Sequence, residues 1–302
     1  MQPRDKLILE FWDRGKELSV NNKEYRNFAI MLLSALLEND IKKDVTADSL
    51  IKSNKSINAV IVAKENGIFA GLEEFKLLNM DLKIRALKKD GDEIKNGDIV
   101  IEISGNPKKI LERERMSLNL LQRMSGIATL TNSLVKRLDG KAKLASTRKT
   151  LWGNVDKKAV SIGNGLTHRL NLSEGIIIKD NHLKILGYNI EKALNLAKNK
   201  SKYIEIEVED RKQALDAANA IKKIKTGKSL FAVMLDKIPP AEIKSIVNEL
   251  KKQSLYDCVL LEASGNIKPD NLESYADSGV DVISMGLITN SAKVLDMSLE
   301  IR

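Results

Sequence analysis

The sequence predicts an α/β protein built largely on a parallel sheet covered by helices. Three observations predict it. Short apolar segments rich in β-branched residues recur from residue 142 onward, at "AKLA", "GIIIK", "YIEIEV", "FAVML", "CVLLEA" and "DVISM". Helical stretches separate them, among them "NIEKALNLAKN", "DRKQALDAANAIKKI" and "PAEIKSIVNELKK". The strand-to-strand spacing is about 25–33 residues, the length of a βαβ crossover unit. Near-continuous apolar strands imply burial on both faces, in either an α/β barrel or a doubly wound sheet. No G-x-G-x-x-G follows the first strand, which counts against a dinucleotide-binding fold.

The first hundred residues break this rhythm and read as a separate α+β unit. "NKEYRNFAIMLLSALLEND" has helical periodicity, with Leu33, Leu36 and Leu37 on one face. Candidate strands follow at "INAVIVA", "GIFAGL", "LKIRAL" and "DIVIEIS". The glycine turns of "DGDEIKNGDIVIEISG" resemble those of lipoyl- or biotinyl-type hairpins. No lysine stands at a hairpin tip as a carrier needs, so the turns are structural. A long helix is predicted from "NPKKILERERM" onward, with Pro107 tolerated in its first turn. The last segment, "LDMSLEI", alternates and is expected to return to the N-terminal sheet.

Composition narrows the function classes. A chain of 302 residues is long enough for one large domain or two unequal ones. The net charge of +9 raises nucleic acid, membrane surfaces and acidic small molecules as partners. The lysines are scattered among acids, as in "KKDGDEIKNGD", which fits a mixed solvated surface and not a phosphate-tracking stripe. Nucleic acid and membrane partners are therefore not expected. The N-terminus is charged throughout and lacks a signal-peptide core, and no apolar stretch approaches the roughly 18 residues of a membrane span. The single Cys258 lies in an apolar run and reads as a buried strand cysteine, in keeping with a reducing, cytoplasmic setting.

In a parallel α/β barrel the strand C-termini form one rim, and chemistry gathers there. "AKLA" leads into Ser146, Thr147, Arg148 and Lys149, and "GIII" into Lys179, Asp180, Asn181 and His182. "YIEIEV" carries Glu205 and Glu207 on one side of its strand. "FAVML" ends in Asp236, "CVLLEA" in Ser264 and Gly265, and "DVISM" in Gly286. "GNGLTHRL" adds His168 and Arg169, so both histidines of the chain fall in this set. Each feature alone also has a bland reading: a wet turn at "STRKT", a helix cap at Asp236, salt bridges at the two glutamates.

Together they suit a poly-anionic substrate pair. Arginine grips a carboxylate through two parallel hydrogen bonds. Backbone N–H groups at "ASGN" and "MGL" suit a phosphate. Glu207 and Asp236 suit Mg²⁺ held through waters, or stabilisation of positive charge on a reacting carbon. One cysteine and two distant histidines do not make a structural zinc site.

With these residues in view, the chain resembles the quinolinate phosphoribosyltransferase family from about residue 38 to the C-terminus. "ERERMSLNLLQRMSGIAT", "STRKT", "THRLNL", "IIIKDNH", "IEIEVED", "VMLDK", "LLEASGNI" and "GVDVISMGLITNSAKVLDMSLEI" carry the resemblance. It implies an N-terminal α/β sandwich domain over 1–112, completed by about 290–302. It also implies a catalytic incomplete six-stranded α/β barrel over 113–289, of the type II phosphoribosyltransferase kind. The implied reaction joins quinolinate to phosphoribosyl pyrophosphate with Mg²⁺, giving nicotinate mononucleotide, pyrophosphate and CO₂ in NAD biosynthesis.

The resemblance implies that Arg148, Lys149, His168, Arg169 and Lys179 hold the quinolinate carboxylates. In a homodimer, or an assembly of such dimers, Arg115 would enter the neighbouring subunit's site. Glu207 and Asp236 would face the ribose and Mg²⁺ and, with Lys179, serve catalysis. Ser264, Gly265, Asn266, Met285 and Gly286 would take the 5′-phosphate. The chain departs from the family's wording after "TRKT", where "LWGNV" stands. It departs again at Asn164, Asn171, Lys237 and Asn266. Three other readings keep a place: an aldolase- or isomerase-like barrel with a Schiff-base Lys179, the molybdenum-transport-associated paralogue, and a basic nucleic-acid-binding protein.

Overall fold

The computed structural model of the chain describes residues 3–224 and 229–302. The chain divides into two units. Met1–Arg14, Leu134–Lys149 and Gly165–Leu287 make the first; Gly15–Ser133, Thr150–Asn164 and Ile288–Arg302 make the second.

Helix α1 (Pro3–Trp12) opens the chain. Helix α2 (Lys23–Asp40) is capped by Asn22, whose side chain accepts from the Glu24 amide. Its buried residues Tyr25, Ala29 and Leu33 recur every four positions, while Leu36 and Leu37 are half-buried. Helix α3 (Val45–Leu50) follows, capped by Asp44. Next come β1 (Ile57–Ala63), β2 (Gly67–Ile68) and α4 (Leu72–Leu78). The strand expected at "GIFAGL" is therefore cut to two residues. The reason is local: the Asp90 carboxylate accepts from the amides of Gly71 and Leu72, and Gly71 turns at φ +105°. That ties off the strand and starts the helix.

Strands β3 (Lys83–Ala86), β4 (Glu93–Ile94) and β5 (Ile99–Gly105) precede the long helix α5 (Pro107–Leu138), which starts on its proline as expected. The chain then runs through β6 (Lys143–Ala145), α6 (Asn154–Ile162), β7 (Ile176–Ile178), α7 (Asp180–Ile185) and α8 (Ile190–Ala197). It continues with β8 (Tyr203–Val208), α9 (Arg211–Ile224), β9 (Leu230–Asp236), α10 (Pro240–Lys252) and β10 (Leu260–Ser264). The last elements are α11 (Leu272–Ala276), β11 (Val282–Ser284), α12 (Leu287–Asn290) and β12 (Met297–Ile301).

The second unit holds an antiparallel sheet in the order β12-β1-β5-β3. The C-terminal "LDMSLEI" does return to it, with β12 antiparallel to β1. Helices α2, α4 and α6 of the same unit share a buried ionic knot. Lys158 pairs with Glu73 and, at 2.6 Å, with Glu74, and the Tyr25 hydroxyl donates to Glu74 at 2.7 Å. Burial works against the charge on Lys158, but the two carboxylates hold its ammonium above the ordinary value. In α5, Gly126 allows close approach of the 293–294 backbone, because a β-carbon there would lie 2.1 Å from the Lys293 carbonyl oxygen. Gly126→Ala is expected to destabilise the protein by about 1–3 kcal/mol through overpacking. Equilibrium denaturation would measure this; no change would mean the two segments part freely.

The first unit holds the parallel six-stranded sheet, in the order β6-β11-β10-β9-β8-β7. Ala145, Ala232, Leu260 and Val282, from four of these strands, meet in one core cluster with Tyr203 and Leu230 packed against it. One side of the sheet therefore curls around a shared interior, as in a barrel. Closure is incomplete: β6 and β7 are the two sheet edges, and the strand-like contact beyond β6 is a single bridge from Ala145 to Leu166.

Helix α1 closes the N-terminal end of this barrel. Ile8, Phe11 and Trp12 enter the same cluster, and Arg4 clasps Asp281 through Nε (2.6 Å) and Nη2 (2.7 Å), just ahead of β11. Cys258 is not in a strand as expected. It sits half-buried in a 3₁₀ turn, its amide donating back to the Leu255 carbonyl, which delays β10 to Leu260. Among the described residues no helix is long and apolar enough to cross a membrane.

Candidate active site

Because all six strands run in parallel, their C-terminal ends share one edge, and most of the expected site residues stand on it. Arg148 and Lys149 follow β6 and are exposed; the Lys149 amide donates to the Thr147 hydroxyl at 3.1 Å. Arg169 is half-buried, and its Nη1 donates to the Gly175 carbonyl at 2.6 Å. Burial and then the neighbouring Arg148 cation lower the proton affinity of Arg169, so the two guanidiniums stand close enough to repel. Such a pair is stabilised by an anion that grips both.

The acidic residues stand beside them. Lys179 pairs with Glu207, and Lys237 pairs with Asp236 at 3.0 Å. Lys237 is held above its ordinary value by that carboxylate. Asp236 is in register with Ser264, and a β-carbon on Gly265 would fall 2.6–2.9 Å from Lys237 and Asp236. Gly286 lies against Thr147 and Lys149, where a β-carbon would come within 3.1–3.5 Å. Loops after β6, β9, β10 and β11 thus converge, and glycine keeps the backbone bare where they meet. Met285 is different: its side chain is buried and its amide donates to the Ala145 carbonyl. Arg115 is exposed on the part of α5 that belongs to the second unit.

Three of the departures from the family's wording share a backbone reason, and Asn171 does not. Asn164 (φ +67°), Lys237 (φ +58°) and Asn266 (φ +56°) all occupy the left-handed region. Asparagine tolerates it through local side-chain hydrogen bonding; Lys237 has no such help and instead spends its ammonium on Asp236. The "LWGNV" departure is tied down in the second unit. The buried Asp156 carboxylate accepts from the Leu151 and Trp152 amides, both at 2.9 Å, and from Arg123 at 2.7 Å through two nitrogens.

His168 and Glu205 were expected at the rim but point into the barrel. His168 is buried at φ +56°, and its amide donates to the Trp12 carbonyl at 2.7 Å. Its Nε2 lies 3.2 Å from Glu262 and 3.5 Å from Glu205, both carboxylates being buried. Its Nδ1 accepts from the Arg169 amide at 2.9 Å. Burial opposes charge on the imidazole and the two glutamates favour it, but a charged ring would put a second proton on Nδ1, against the Arg169 amide. The amide aimed at Nδ1 requires a lone pair there, so the proton the geometry demands sits on Nε2, facing the carboxylates. Burial and the adjacent Glu262 push Glu205 up, whereas at Glu262 burial is outweighed by His168 together with Ser284 and Trp12, which hold it low.

Sequence reasoning missed Glu262, Asp156 and the α1 plug. A lone glutamate within the apolar "VLLEA" was the available signal, because a buried carboxylate needs a partner. His182, the other histidine, is exposed on α7, where Nδ1 accepts from the Lys179 amide.

Comparison with known proteins places this geometry. Residues 44–125 match the family described as quinolinate phosphoribosyl transferase, N-terminal domain, and residues 127–300 match its C-terminal domain. A Methanothermobacter thermautotrophicus protein named probable nicotinate-nucleotide pyrophosphorylase (carboxylating) is 42% identical over 270 residues, 86% of this chain and 94% of the relative. A Bacillus subtilis protein of the same name is 36% identical over 267 residues, 85% of this chain and 88% of the relative. Among solved structures, nicotinate-nucleotide pyrophosphorylase from Francisella tularensis superposes with TM-score 0.79 at 32% identity. That match covers 91% of this chain and 96% of the other. The Ehrlichia chaffeensis enzyme gives TM-score 0.80 at 33% identity, over 90% and 98%. Matching both domains in order, and relatives along most of their length, this chain belongs to the quinolinate phosphoribosyl transferase family.

Proposed function

We propose that this chain transfers the phosphoribosyl group of phosphoribosyl pyrophosphate to quinolinate with decarboxylation, giving nicotinate mononucleotide, pyrophosphate and CO₂ in NAD biosynthesis. The family supports this reading, and one observation carries it: Arg148 and Arg169, near enough for one cation to disfavour the other, share the C-terminal edge of the sheet that also bears Glu207 and Asp236. Two such guanidiniums fit adjacent carboxylates on one ring better than a single one.

Arg148, Lys149, Arg169 and Lys179 grip the dicarboxylate, His168 stands beneath them, and the pyridine nitrogen is held towards the anomeric carbon. Holding both partners in line removes much of the entropic barrier. The nitrogen lone pair forms the new C–N bond as the C–O bond to pyrophosphate breaks, and Glu207 and Asp236 stabilise the positive charge that develops on the ribose carbon. The ring nitrogen is then cationic, so the ring carbon holds the electron pair left by departing CO₂ as an ylide, and that carbon takes a proton from solvent to give the product. Lys179 steadies the carboxylate that leaves. The backbone at Ser264, Gly265, Asn266 and Gly286 takes the 5′-phosphate, while Met285, whose amide is spent on Ala145, holds Gly286 in place.

Glu207 and Asp236 present oxygen donors, the chemistry a hard divalent cation prefers, and each already holds a lysine ammonium. They would hold Mg²⁺ through waters, and the ion would neutralise charge on the diphosphate. The same reading makes the protein a cytoplasmic homodimer, with Arg115 entering the partner's site.

The test is incubation with quinolinate, phosphoribosyl pyrophosphate and Mg²⁺, following nicotinate mononucleotide by chromatography. Product is expected from quinolinate and little from nicotinic acid, which lacks the second carboxylate. Equal use of nicotinic acid, or no product from quinolinate, would overturn the reading.

A further inference from the structure

The buried trio of His168, Glu205 and Glu262 is unusual for a barrel interior, where apolar side chains normally fill each layer. In the sheet register Glu262 is flanked by Met234 on β9 and Val282 on β11, both buried and apolar. Packing alone would be served as well by an apolar residue of similar size, since an interior carboxylate carries a heavy desolvation cost. The trio also has the ligand types of a metal site, its donor atoms all within 4.8 Å of one another. A ligating histidine, however, normally donates its second ring N–H to an acceptor, and here Nδ1 does the reverse, accepting from the Arg169 amide. The trio is better read as a support.

What it supports lies one residue on. His168 is held in the left-handed region against the preference of a residue with a β-carbon, so the surroundings must over-determine it. Its amide is fixed by Trp12 and its Nε2 faces the two carboxylates at 3.2 and 3.5 Å, while its Nδ1 fixes the amide of Arg169. The Thr167 hydroxyl accepts from the Arg14 amide, pinning the turn from the other side. The chain of contacts therefore runs from the barrel interior to the backbone that carries the Arg169 guanidinium. We propose that Glu262 is a positioning residue for the dicarboxylate pocket: through His168 it selects the Nε2–H tautomer, fixes the 167–169 turn and so aims Arg169. The proposal rests on the functional reading above for the identity of the dicarboxylate.

The experiment compares the full-length wild type with Glu262→Met and Glu262→Gln. Equilibrium binding of quinolinate and of phosphoribosyl pyrophosphate is measured separately, alongside turnover and thermal unfolding. Glu262→Met, which cannot accept from Nε2, is expected to weaken quinolinate binding roughly tenfold or more while leaving phosphoribosyl pyrophosphate affinity unchanged. Glu262→Gln keeps an acceptor and is expected to restore quinolinate affinity to within about threefold of wild type. Unaltered quinolinate affinity in Glu262→Met, or equal weakening of both ligands, would overturn the proposal.

The imidazole ¹⁵N signals give a readout independent of turnover. The chain has only two histidines, so His182→Gln assigns them. The wild type should show His168 protonated on Nε2 with Nδ1 accepting, and Glu262→Met should shift that pattern and the Arg169 amide signal. Signals identical in the two proteins would overturn the proposal. A wild type that binds quinolinate but forms no product would instead sink the reaction assigned above. The positioning role would then still be judged on binding and on the imidazole.

Discussion

Arg169→Ala is expected to lower kcat/KM for quinolinate by about 10²–10³-fold, measured from initial rates at saturating phosphoribosyl pyrophosphate. The guanidinium is half-buried, and burial and the Arg148 cation oppose its charge more than Glu205 and Glu174 support it. A dicarboxylate offsets that opposition and gains charge-assisted hydrogen bonds at both cations. Removing one cation forfeits the bonds and leaves one substrate carboxylate poorly solvated. Arg169→Lys is expected to recover little, because a point charge on a flexible stem does not reproduce the planar fork. The 2.6 Å bond from Nη1 to the Gly175 carbonyl will also be lost, so thermal unfolding should accompany the kinetics. A kcat/KM within about threefold of wild type would remove Arg169 from the pocket.

The second large effect concerns stability. Asp156→Ala should cost about 3–5 kcal/mol, read from denaturant unfolding. Asp156 is fully buried in the second unit and answers four donors: Nε and Nη2 of Arg123 and the amides of Leu151 and Trp152. Its removal strands a guanidinium that still donates to the Thr289 carbonyl but has lost both carboxylate bonds, and it frees both amides of the turn after "STRKT". Because this turn continues the segment that bears Arg148 and Lys149, quinolinate KM should rise even at temperatures where the variant is folded. Asp156→Asn keeps acceptor oxygen without the charge and should fall between. A loss below about 1 kcal/mol would show that the clamp is redundant.

Much of this was legible along the chain. The strands at "INAVIVA", "YIEIEV" and "DVISM", the proline start of α5 and the return of "LDMSLEI" could be read because a strand or helix advertises its period locally. Boundaries that failed were set by distant partners. "GIFAGL" stops early because Asp90, some twenty residues on, caps Gly71 and Leu72, and Cys258 leaves its strand because a turn closes on Leu255. The rim was legible for a topological reason: in a parallel sheet every strand's C-terminus faces one edge, so residues far apart in sequence can be listed together before any contact is known.

The sequence by itself determined the alternation of strands and helices, the residue types at each strand end and the family they resemble, since these depend on order and period. Tertiary structure decided which side of the rim each polar group serves. His168 and Glu205 turn inward, where two buried carboxylates hold one imidazole, and Glu262, unremarked in the sequence, completes that support. It also decided that the first helix closes the barrel and that Asn164, Lys237 and Asn266 sit in the left-handed region. The physical reason is the same in each case. Burial, proton position and backbone handedness depend on neighbours brought together only by the curl of the sheet, and no local pattern encodes them.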